Sequence, residues 1–278
     1  MSTLTLDPRV PGAETAPVPH PQQRSQVQRF VRHSLAFAGR SIRKMIRTPE
    51  QFIDVTLQPV IFVVLFVYLF GGAVAGNTHD YLQLVLPAIM VQTAVFSTNA
   101  IGVNLNTDIT KGVFDRFRSL PIARAAPLVG AVLGDVIRYA ISIAVLFAFG
   151  YIIGFRVQTN LFQAVCAGLL VLLFSLCLCW VFVLLGLVLR SPGAVQGIGF
   201  LVMFPLTFGS NFFVPTSTLP GWLQGWVNIN PLTHVLAAVR GLLLGGPVAV
   251  PVLETLVSAA VIVAIFAPLA VRAYRRRP

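Results

Sequence analysis

Charged side chains are scarce in this sequence, and their scarcity excludes a water-soluble domain. Asp, Glu, Lys and Arg together make up 10% of its 278 residues, whereas a soluble domain carries roughly 25%. Apolar side chains make up 56%, and several apolar runs reach the length of about 20 residues that a helix needs to cross a hydrocarbon core. Such continuous runs are unlike the alternating strands of a membrane barrel. The sequence therefore predicts an all-α integral membrane protein.

Acidic residues are the rarer of the two charge signs: there are nine, against twenty Lys and Arg, and the net charge is +11. A nucleic-acid partner would be one explanation, but the basic residues are grouped before the first apolar run, in a central loop and at the C-terminus. The loops between these groups contain almost no Lys or Arg, as the positive-inside rule expects of external loops. The charge therefore predicts a multi-pass membrane protein with both termini in the cytosol, and no nucleic-acid partner.

Groups for catalysis, metal binding and nucleotide binding are also lacking. The three cysteines, Cys166, Cys177 and Cys179, lie in one apolar run without the spacing of metal ligands, and are interpreted as packing residues. The four histidines are scattered, and no Ser-His-Asp set occurs at a recognisable elbow motif. The sequence has no phosphate-binding pattern G-x-x-x-x-G-K-[ST]. It thus predicts a chain that binds no metal or cofactor and obtains any ATP chemistry from a separate chain.

Long apolar runs are what the sequence does contain, and they predict six spans. These lie at about residues 55–74, 82–103, 128–154, 161–189, 195–213 and 248–271. The segment 214–246 is too interrupted by Pro and Gly for a simple span, and its Trp residues favour short helices in the outer leaflet. The predicted domains are a disordered cytosolic tail, an interfacial amphipathic helix, the six-span domain and a basic cytosolic tail, at residues 1–23, 24–53, 54–272 and 273–278.

The interfacial helix is predicted from the pattern of residues 24–47. Apolar residues share one face of a helical wheel, and the opposite face carries Arg29, Arg32, Arg40, Arg43 and Arg47. Such a helix lies in the membrane interface, with its basic side towards anionic headgroups or a cytosolic partner. A charge cluster that only sets topology is the alternative, and the clean separation of faces favours the interfacial helix.

The central loop, residues 106–124, contains a second predicted amphipathic helix. Residues three and four apart are neighbours on a helix, and Pro121 would end it. A loop that only crossed between spans would not need such a helix, so the pattern predicts a segment that docks onto another protein. Its apolar face would carry Ile109, Val113, Phe117 and Leu120.

Opposite charges lie one helical turn apart inside the third predicted span, at Asp135 and Arg138. A lone charge at the bilayer centre costs about 2.5–3.5 kcal/mol, so the two side chains are predicted to pair. The pair would line a translocation path, brace a dimer, or be a purely structural pair at the cytosolic interface. Glu254, near the outer end of the last span, is interpreted as a solvated helix-end residue, and a gate or a cation contact is the alternative.

Four features along the chain form a recognisable set. A basic interfacial helix precedes the first of six spans. The central loop contains Asp108, Gly112 and Asp115, followed by Ser119-Leu120-Pro121-Ile122. The segment before the last span contains Leu219-Pro220-Gly221-Trp222-Leu223, Asn230-Pro231-Leu232-Thr233 and Arg240-Gly241. Together these features cover nearly the whole chain and resemble the permease subunits of type-2 ATP-binding-cassette (ABC) exporters, close to the daunorubicin-resistance-type drug efflux branch.

This resemblance implies a subunit in the plasma membrane of a bacterial cell. The subunit would dimerise with a second copy or a paralogue and dock onto two separate ATPase chains, which bind the ATP and Mg. Closure of the ATPase pair would move the docked helices and produce alternating access. In the external segment the resemblance singles out Pro220, Trp222, Asn230, Pro231 and Arg240. The docking residues of the implied coupling helix are Asp108, Ile109, Gly112, Val113, Asp115, Phe117, Leu120 and Pro121.

The cargo implied by the resemblance is a small amphipathic drug, antibiotic or lipid. Export of a polysaccharide or lipid-linked glycan is the alternative, because such relatives share the six-span plan; the short external loops favour the drug. A membrane enzyme or scaffold is the alternative of another class. An enzyme would need convergent acid, base or metal groups near one interface, and the sequence indicates none.

Overall fold

The computed structural model of the chain describes residues 49–112, 126–212 and 219–276. Eight α-helices follow one another in these ranges, which contain no β-strand. The all-α prediction is therefore confirmed for the described part of the chain. The helices are α1 (Pro49–Ala75), α2 (Thr78–Thr110), α3 (Ala126–Ile152), α4 (Leu161–Val188), α5 (Pro192–Phe208), α6 (Gly221–Ile229), α7 (Pro231–Leu244) and α8 (Ala249–Arg276).

Several predicted features lie outside the described residues and stay predictions. The side chain of Asp135 is one of them, although its backbone belongs to α3. The others are the N-terminal tail and the interfacial helix with Arg29, Arg32, Arg40, Arg43 and Arg47, together with the central-loop residues Val113, Asp115, Phe117, Leu120 and Pro121.

Local capping residues decide where several helices begin. Asn77 precedes α2, and its side chain accepts a hydrogen bond from the backbone N–H of Asp80 at 2.7 Å. Asn160 caps α4 in the same way, and Ser191 caps α5. Ser191 is followed by Pro192, whose fixed φ and missing N–H suit the first helical position. These side chains satisfy N–H groups that have no partner within the helix, so the local sequence sets these boundaries.

Three helices, α2, α4 and α8, are long and apolar enough to cross a membrane, and α6 with α7 is a fourth candidate if the pair counts as one span. The axes of α6 and α7 meet at 75°. The apolar stretches described in α1, α3 and α5 have 10–17 residues: Leu57–Gly72, Val136–Ile152 and Pro192–Phe208. The complete helices α1 and α3 have 27 residues each, and α5 has 17. The described residues thus indicate a multi-pass membrane protein with fewer clear spans than the six that the sequence predicts.

The central helix of the described structure is α2. Its most apolar 18-residue window is 72% buried, against 11% for the corresponding window of α8. Helices α1, α3, α4, α5 and α7 all pack against α2. In contrast, α8 packs on α4 and α7 and leaves many apolar side chains exposed, a surface that lipid tails match in polarity. Helix α2 therefore connects the interior of the helical domain directly to the central loop.

Two glycines allow α2 and α4 to cross at close range. A side chain at Gly102 would overlap the backbone carbonyl of Phe182, and a side chain at Gly186 would overlap the carbonyl of Gly102. Small residues at helix crossings in membranes let the backbones approach and pack by van der Waals contact. The α2–α4 crossing therefore depends on the absence of side chains at these two positions.

Candidate functional site

The helical domain has two ends, and each carries predicted functional residues. At one end α2 and α4 finish and α5 begins. We call it the central-loop end, because residues 113–125 follow α2 in the sequence. The opposite end contains the α1–α2 turn, the α3–α4 connection and helices α6 and α7. There Gln83 of α2 donates a hydrogen bond to Gly154 after α3, and Thr159 donates one to Leu242 of α7.

At the central-loop end, Asn106 joins the last turn of α2 to the last turn of α4. Its Nδ2 donates to the backbone carbonyls of Gly186 at 2.9 Å and Leu189 at 2.7 Å, and the residue is buried. The last carbonyls of a helix have no partner within the helix, so Asn106 caps α4 from the neighbouring helix. Any displacement of the end of α2 is therefore communicated to α4.

The predicted coupling residues Asp108 and Ile109 lie in the last turn of α2, each partly buried. The helix ends at Thr110, and the N–H of Gly112 donates to the carbonyl of Ile109. Gly112 has a φ of +66°, the left-handed conformation in which helices commonly terminate. The prediction that Ile109 and Val113 share one uninterrupted helix is therefore wrong, because Gly112 ends α2 between them.

Arg138 contacts α2 from the middle of α3. Its Nη2 donates to the carbonyl of Ser97 at 2.9 Å, and its guanidinium carbon lies 5.6 Å from the centre of the Tyr139 ring. The residue is buried. Because the side chain of Asp135 is outside the described set, the predicted ion pair stays a prediction, while the hydrogen bond to Ser97 gives Arg138 a role in joining α3 to α2.

A cavity of about 550 Å³ lies between α1, α2, α3 and α5, and the Arg138 side chain is part of its wall. This volume is within the range of about 300–1,000 Å³ found for small-molecule sites. Its apolar wall includes the rings of Phe62, Phe96 and Phe200. Its polar wall includes five carboxamides: Gln58, Gln92, Asn99, Asn104 and Gln196. Polar groups within membrane spans are costly and mark substrate pathways, so this cavity is a candidate ligand site within the described part of the chain.

Helix α2 lines this cavity from Ile89 to Asn104, over about four helical turns. Asn104 is six residues before the end of the helix at Thr110, and Gln196 is in the second turn of α5. The cavity therefore extends from near the central-loop end towards the middle of the domain. The exposed side chains of Gln58 and Gln196 stand at its open side, between α1 and α5.

Two of the carboxamide oxygens in the cavity wall, Oε1 of Gln92 and Oδ1 of Asn99, are shielded from solvent and have no hydrogen-bond partner among the described residues. The two residues are 7% and 6% exposed. The amide of Asn99 lies against Gly199 of α5, where a side chain would overlap it. A buried acceptor without a partner costs about 1–3 kcal/mol, so each residue contains an acceptor that no described group satisfies.

At the opposite end, the predicted residue Asn230 joins α5 to α7. Its Nδ2 donates to the carbonyls of Leu206 at 2.7 Å and Gly209 at 2.9 Å, and its Oδ1 accepts from the N–H of Leu232 at 3.0 Å. One buried side chain thus caps the C-terminus of α5 and the N-terminus of α7. Pro231 follows at the first helical position of α7, as its fixed φ favours.

Arg240 in α7 binds the chain segment that follows α5. Its guanidinium donates to the carbonyls of Asn211 and Phe212, both at 3.1 Å, and to the carbonyl of Leu84 in α2 at 3.2 Å. Arg240 and Asn230 therefore converge on the end of α5. Pro220 and Trp222 lie at the start of α6, and Trp222 is 78% exposed, which suits an interfacial aromatic residue rather than a packing role.

A contact that the sequence did not indicate joins α7 to α8. Nδ1 of His234 lies 2.8 Å from Oε2 of Glu254, and their side chains are 20% and 45% exposed. The carboxylate of Glu254 is accessible to water, as expected of a solvated helix-end residue, and it also contacts the imidazole of α7. A role of Glu254 as a gate or cation contact stays a prediction. Asn106 and the cavity carboxamides were also missed. Their signal was the series of carboxamides at 92, 99, 104 and 106 in and just after a predicted span.

These findings describe a helical membrane protein with a cavity between its helices, and comparison with known proteins supplies the family. Residues 33–244 match the family model described as "ABC-2 type transporter". The chain belongs to the ABC-2 type transporter family, whose permeases are transport subunits rather than enzymes and work with an ABC ATPase. The predicted resemblance is confirmed.

The relatives of this chain include permeases named for drug resistance. It is 44% identical over 229 residues to the daunorubicin resistance ABC transporter permease protein DrrB1 of Streptomyces coeruleorubidus, covering 82% of this chain and 81% of that protein. It is 27% identical to the probable doxorubicin resistance permease DrrC of Mycobacterium tuberculosis, over 95% of each chain. The inner membrane transport permease YadH of Escherichia coli is 25% identical, over 68% of this chain and 75% of that protein.

Proposed function

We propose that this chain is the permease subunit of an ATP-driven exporter, and that it carries a small amphipathic drug, antibiotic or lipid out of a bacterial cell. The observation that carries the proposal is that one helix, α2, both lines the phenylalanine- and carboxamide-walled cavity and ends at the central loop. Movement imposed on that loop by an ATPase would act directly on the wall of the cavity. The similarity to permeases named for daunorubicin and doxorubicin resistance supports an amphipathic aromatic cargo.

The proposed topology has six passes, α1 to α5 and α8, with α6 and α7 in the outer leaflet and both termini in the cytosol. Helices α2 and α4 finish at the central-loop end, and α8 runs back from the opposite end, where it follows α7. Cationic residues near the ends of these three helices support a cytosolic location of the central-loop end. They are Lys111, Arg190, Arg272, Arg275 and Arg276.

The proposed docking site for the ATPase is the central loop, from Asp108 at the end of α2 to Pro121. The interfacial helix of residues 24–53 would flank it, and a second permease copy or a paralogue would complete the dimer. ATP and Mg would be bound by the ATPase chains. Support comes from the position of the loop: it follows the turn of α2 that Asn106 attaches to α4, so force applied there reaches two helices of the core.

The docking proposal is tested by replacing Asp115 with Lys and Phe117 with Ala in the same tagged chain. The double variant should enter the membrane as the wild type does and lose the co-purifying ATPase by at least about tenfold, a change that corresponds to about 1.4 kcal/mol of binding free energy. The measurement is the ratio of ATPase to permease after affinity purification from native membranes, together with ATP turnover of the eluate.

A matched control for that experiment is Arg156→Glu with Phe162→Ala. It also reverses a charge and removes an aromatic ring, but at exposed positions of the opposite end, and it should retain the ATPase. Equal retention of the ATPase by both double variants would show that the central loop is not the docking site.

A further inference from the structure

We propose that the cavity between α1, α2, α3 and α5 binds a flat aromatic molecule that carries two hydroxyl or N–H donors about 10 Å apart. The side-chain oxygens of Gln92 and Asn99 accept hydrogen bonds from those two donors. This inference rests on the proposed export function, because it takes the molecule bound in the cavity to be the exported cargo. The binding it predicts is measurable without transport.

The spacing of the two donors follows from the helix. Gln92 and Asn99 are seven residues apart in α2, which is close to two full turns and about 10 Å along the axis. Both side chains therefore lie on one face of α2, and both form part of the cavity wall. A ligand lying along α2 meets the two carboxamides one after the other.

The ligand is expected to carry hydrogen-bond donors because two acceptors of the cavity residues have no partner. Oε1 of Gln92 and Oδ1 of Asn99 have no hydrogen-bond partner among the described residues. Both oxygens are shielded in the ligand-free chain. The terminal torsion of an Asn or Gln side chain is broad and roughly two-fold, so rotation of the amide group turns the oxygen towards the cavity. Donation from a ligand hydroxyl then satisfies an acceptor that the ligand-free chain leaves unsatisfied.

The ligand is expected to have a flat aromatic body because phenylalanine rings form the apolar part of the cavity wall. Phe96 and Phe200 contact each other edge to face with ring centroids 6.0 Å apart, and Phe62 is part of the wall on α1. Aromatic rings prefer such edge-to-face or offset arrangements at 4.5–7 Å, so a planar ligand gains specific contacts beside these rings. A volume of about 550 Å³ accommodates one molecule of drug size.

The test uses the full chain in lipid nanodiscs and a matched pair of probes. The first probe is quercetin, a flat flavonol with hydroxyl groups at both ends; the second is its fully O-methylated derivative, which keeps the aromatic body and lacks the donors. Wild type should bind quercetin saturably and the methylated probe at least about tenfold more weakly.

The variants Gln92→Met and Asn99→Leu should each lose about tenfold in affinity for quercetin and little for the methylated probe. Gln163→Met, on α4 and outside the cavity wall, should bind like the wild type.

Thermal unfolding of the ligand-free variants separates recognition from a structural role. An apolar residue of similar shape removes an unsatisfied buried acceptor, so Gln92→Met and Asn99→Leu should unfold at the wild-type temperature or above it. Equal affinity of wild type for both probes, or no binding of quercetin, would overturn the proposal. A lowered unfolding temperature in both variants would assign the two carboxamides to structure instead.

Failure of this inference and failure of the proposed function give different results. Inside-out vesicles that contain the chain and its ATPase report transport of daunorubicin independently of the binding assay. If transport proceeds and both variants match wild type in binding, the inference is wrong and the export function stands. If the variants lose quercetin binding as expected but no ATP-dependent transport occurs, the site stands and the export function is wrong.

Discussion

Buried carboxamides are the side chains that decide the properties of this protein at the residue scale, and they occur in two states. The amide nitrogens of Asn106 and Asn230 donate to backbone carbonyls at the ends of neighbouring helices. Oδ1 of Asn230 also accepts a hydrogen bond from Leu232, whereas Oδ1 of Asn106 has no partner among the described residues. Gln92 and Asn99 carry the same chemical group with oxygens that have no partner among the described residues. Water does not satisfy polar groups in membrane spans. An amide that is bonded to the backbone of another helix therefore joins the two helices, whereas an amide at the cavity whose oxygen has no partner is suited to binding a ligand.

The joining role of Asn230 predicts a specific loss of stability. Asn230→Leu keeps the approximate shape of the side chain but leaves the carbonyls of Leu206 and Gly209 and the N–H of Leu232 without this partner. The free energy of unfolding should fall by about 1–3 kcal/mol. Asn228→Leu, two residues away at an exposed position of α6, is the control and should change stability by less than about 0.5 kcal/mol. Thermal unfolding in nanodiscs compares the two, and equal midpoints would mean that the capping bonds contribute nothing.

Sequence and resemblance singled out Asn230 and Arg240, but the structure was needed to find what they do. Their partners, such as Leu84 and Gly209, are backbone carbonyls, which leave no trace in side-chain patterns. The same holds for Asn106 and its contacts to α4. Gly112 did carry a sequence signal, because a glycine just after a polar helical turn is a common helix end, and that signal conflicts with the helix predicted across it.

The central element is α2, which is longer than the span predicted for it. The sequence predicts an end near Val103, where polar residues begin, but the helix continues to Thr110. The hydroxyls of Thr107 and Thr110 donate to the carbonyls of Val103 and Asn106, one turn earlier. These bonds, and the contact of Asn106 with α4, let polar residues extend the helix beyond the apolar run. Hydropathy predicted the element and could not predict its end.

The close crossing of α2 and α4 predicts opposite effects for two Gly→Ala substitutions. At Gly102 the added methyl group overlaps the carbonyl of Phe182, so the helices must separate, at a cost of about 1–3 kcal/mol. At Gly197 of α5 nothing lies within 4 Å of the added methyl group, and the helix should gain about 0.5–1 kcal/mol. Unfolding midpoints of the two variants should therefore shift in opposite directions. A stable Gly102→Ala variant would contradict the close α2–α4 packing.

At the scale of the whole molecule, composition alone predicted the class, and the family comparison agrees with it. Low charge and long apolar runs leave a chain no stable fold except a helical membrane domain. The number of spans was harder to predict, because α5 has only 17 residues and hydropathy does not show where a helix tilts, bends or stays near one leaflet. The cavity could not be predicted from the sequence, because it depends on how four helices place side chains that lie far apart in the chain.

The central claim is that this chain is the moving pathway of an exporter that takes its energy from a separate ATPase. The most direct measurement is ATP-dependent accumulation of daunorubicin in inside-out vesicles that contain the chain and its co-purifying ATPase. The account predicts accumulation that requires ATP and disappears with the Asp115→Lys, Phe117→Ala double variant. Accumulation of a lipid-linked glycan without accumulation of daunorubicin would contradict the proposed cargo, and transport unaffected by removal of ATP would contradict the claim itself.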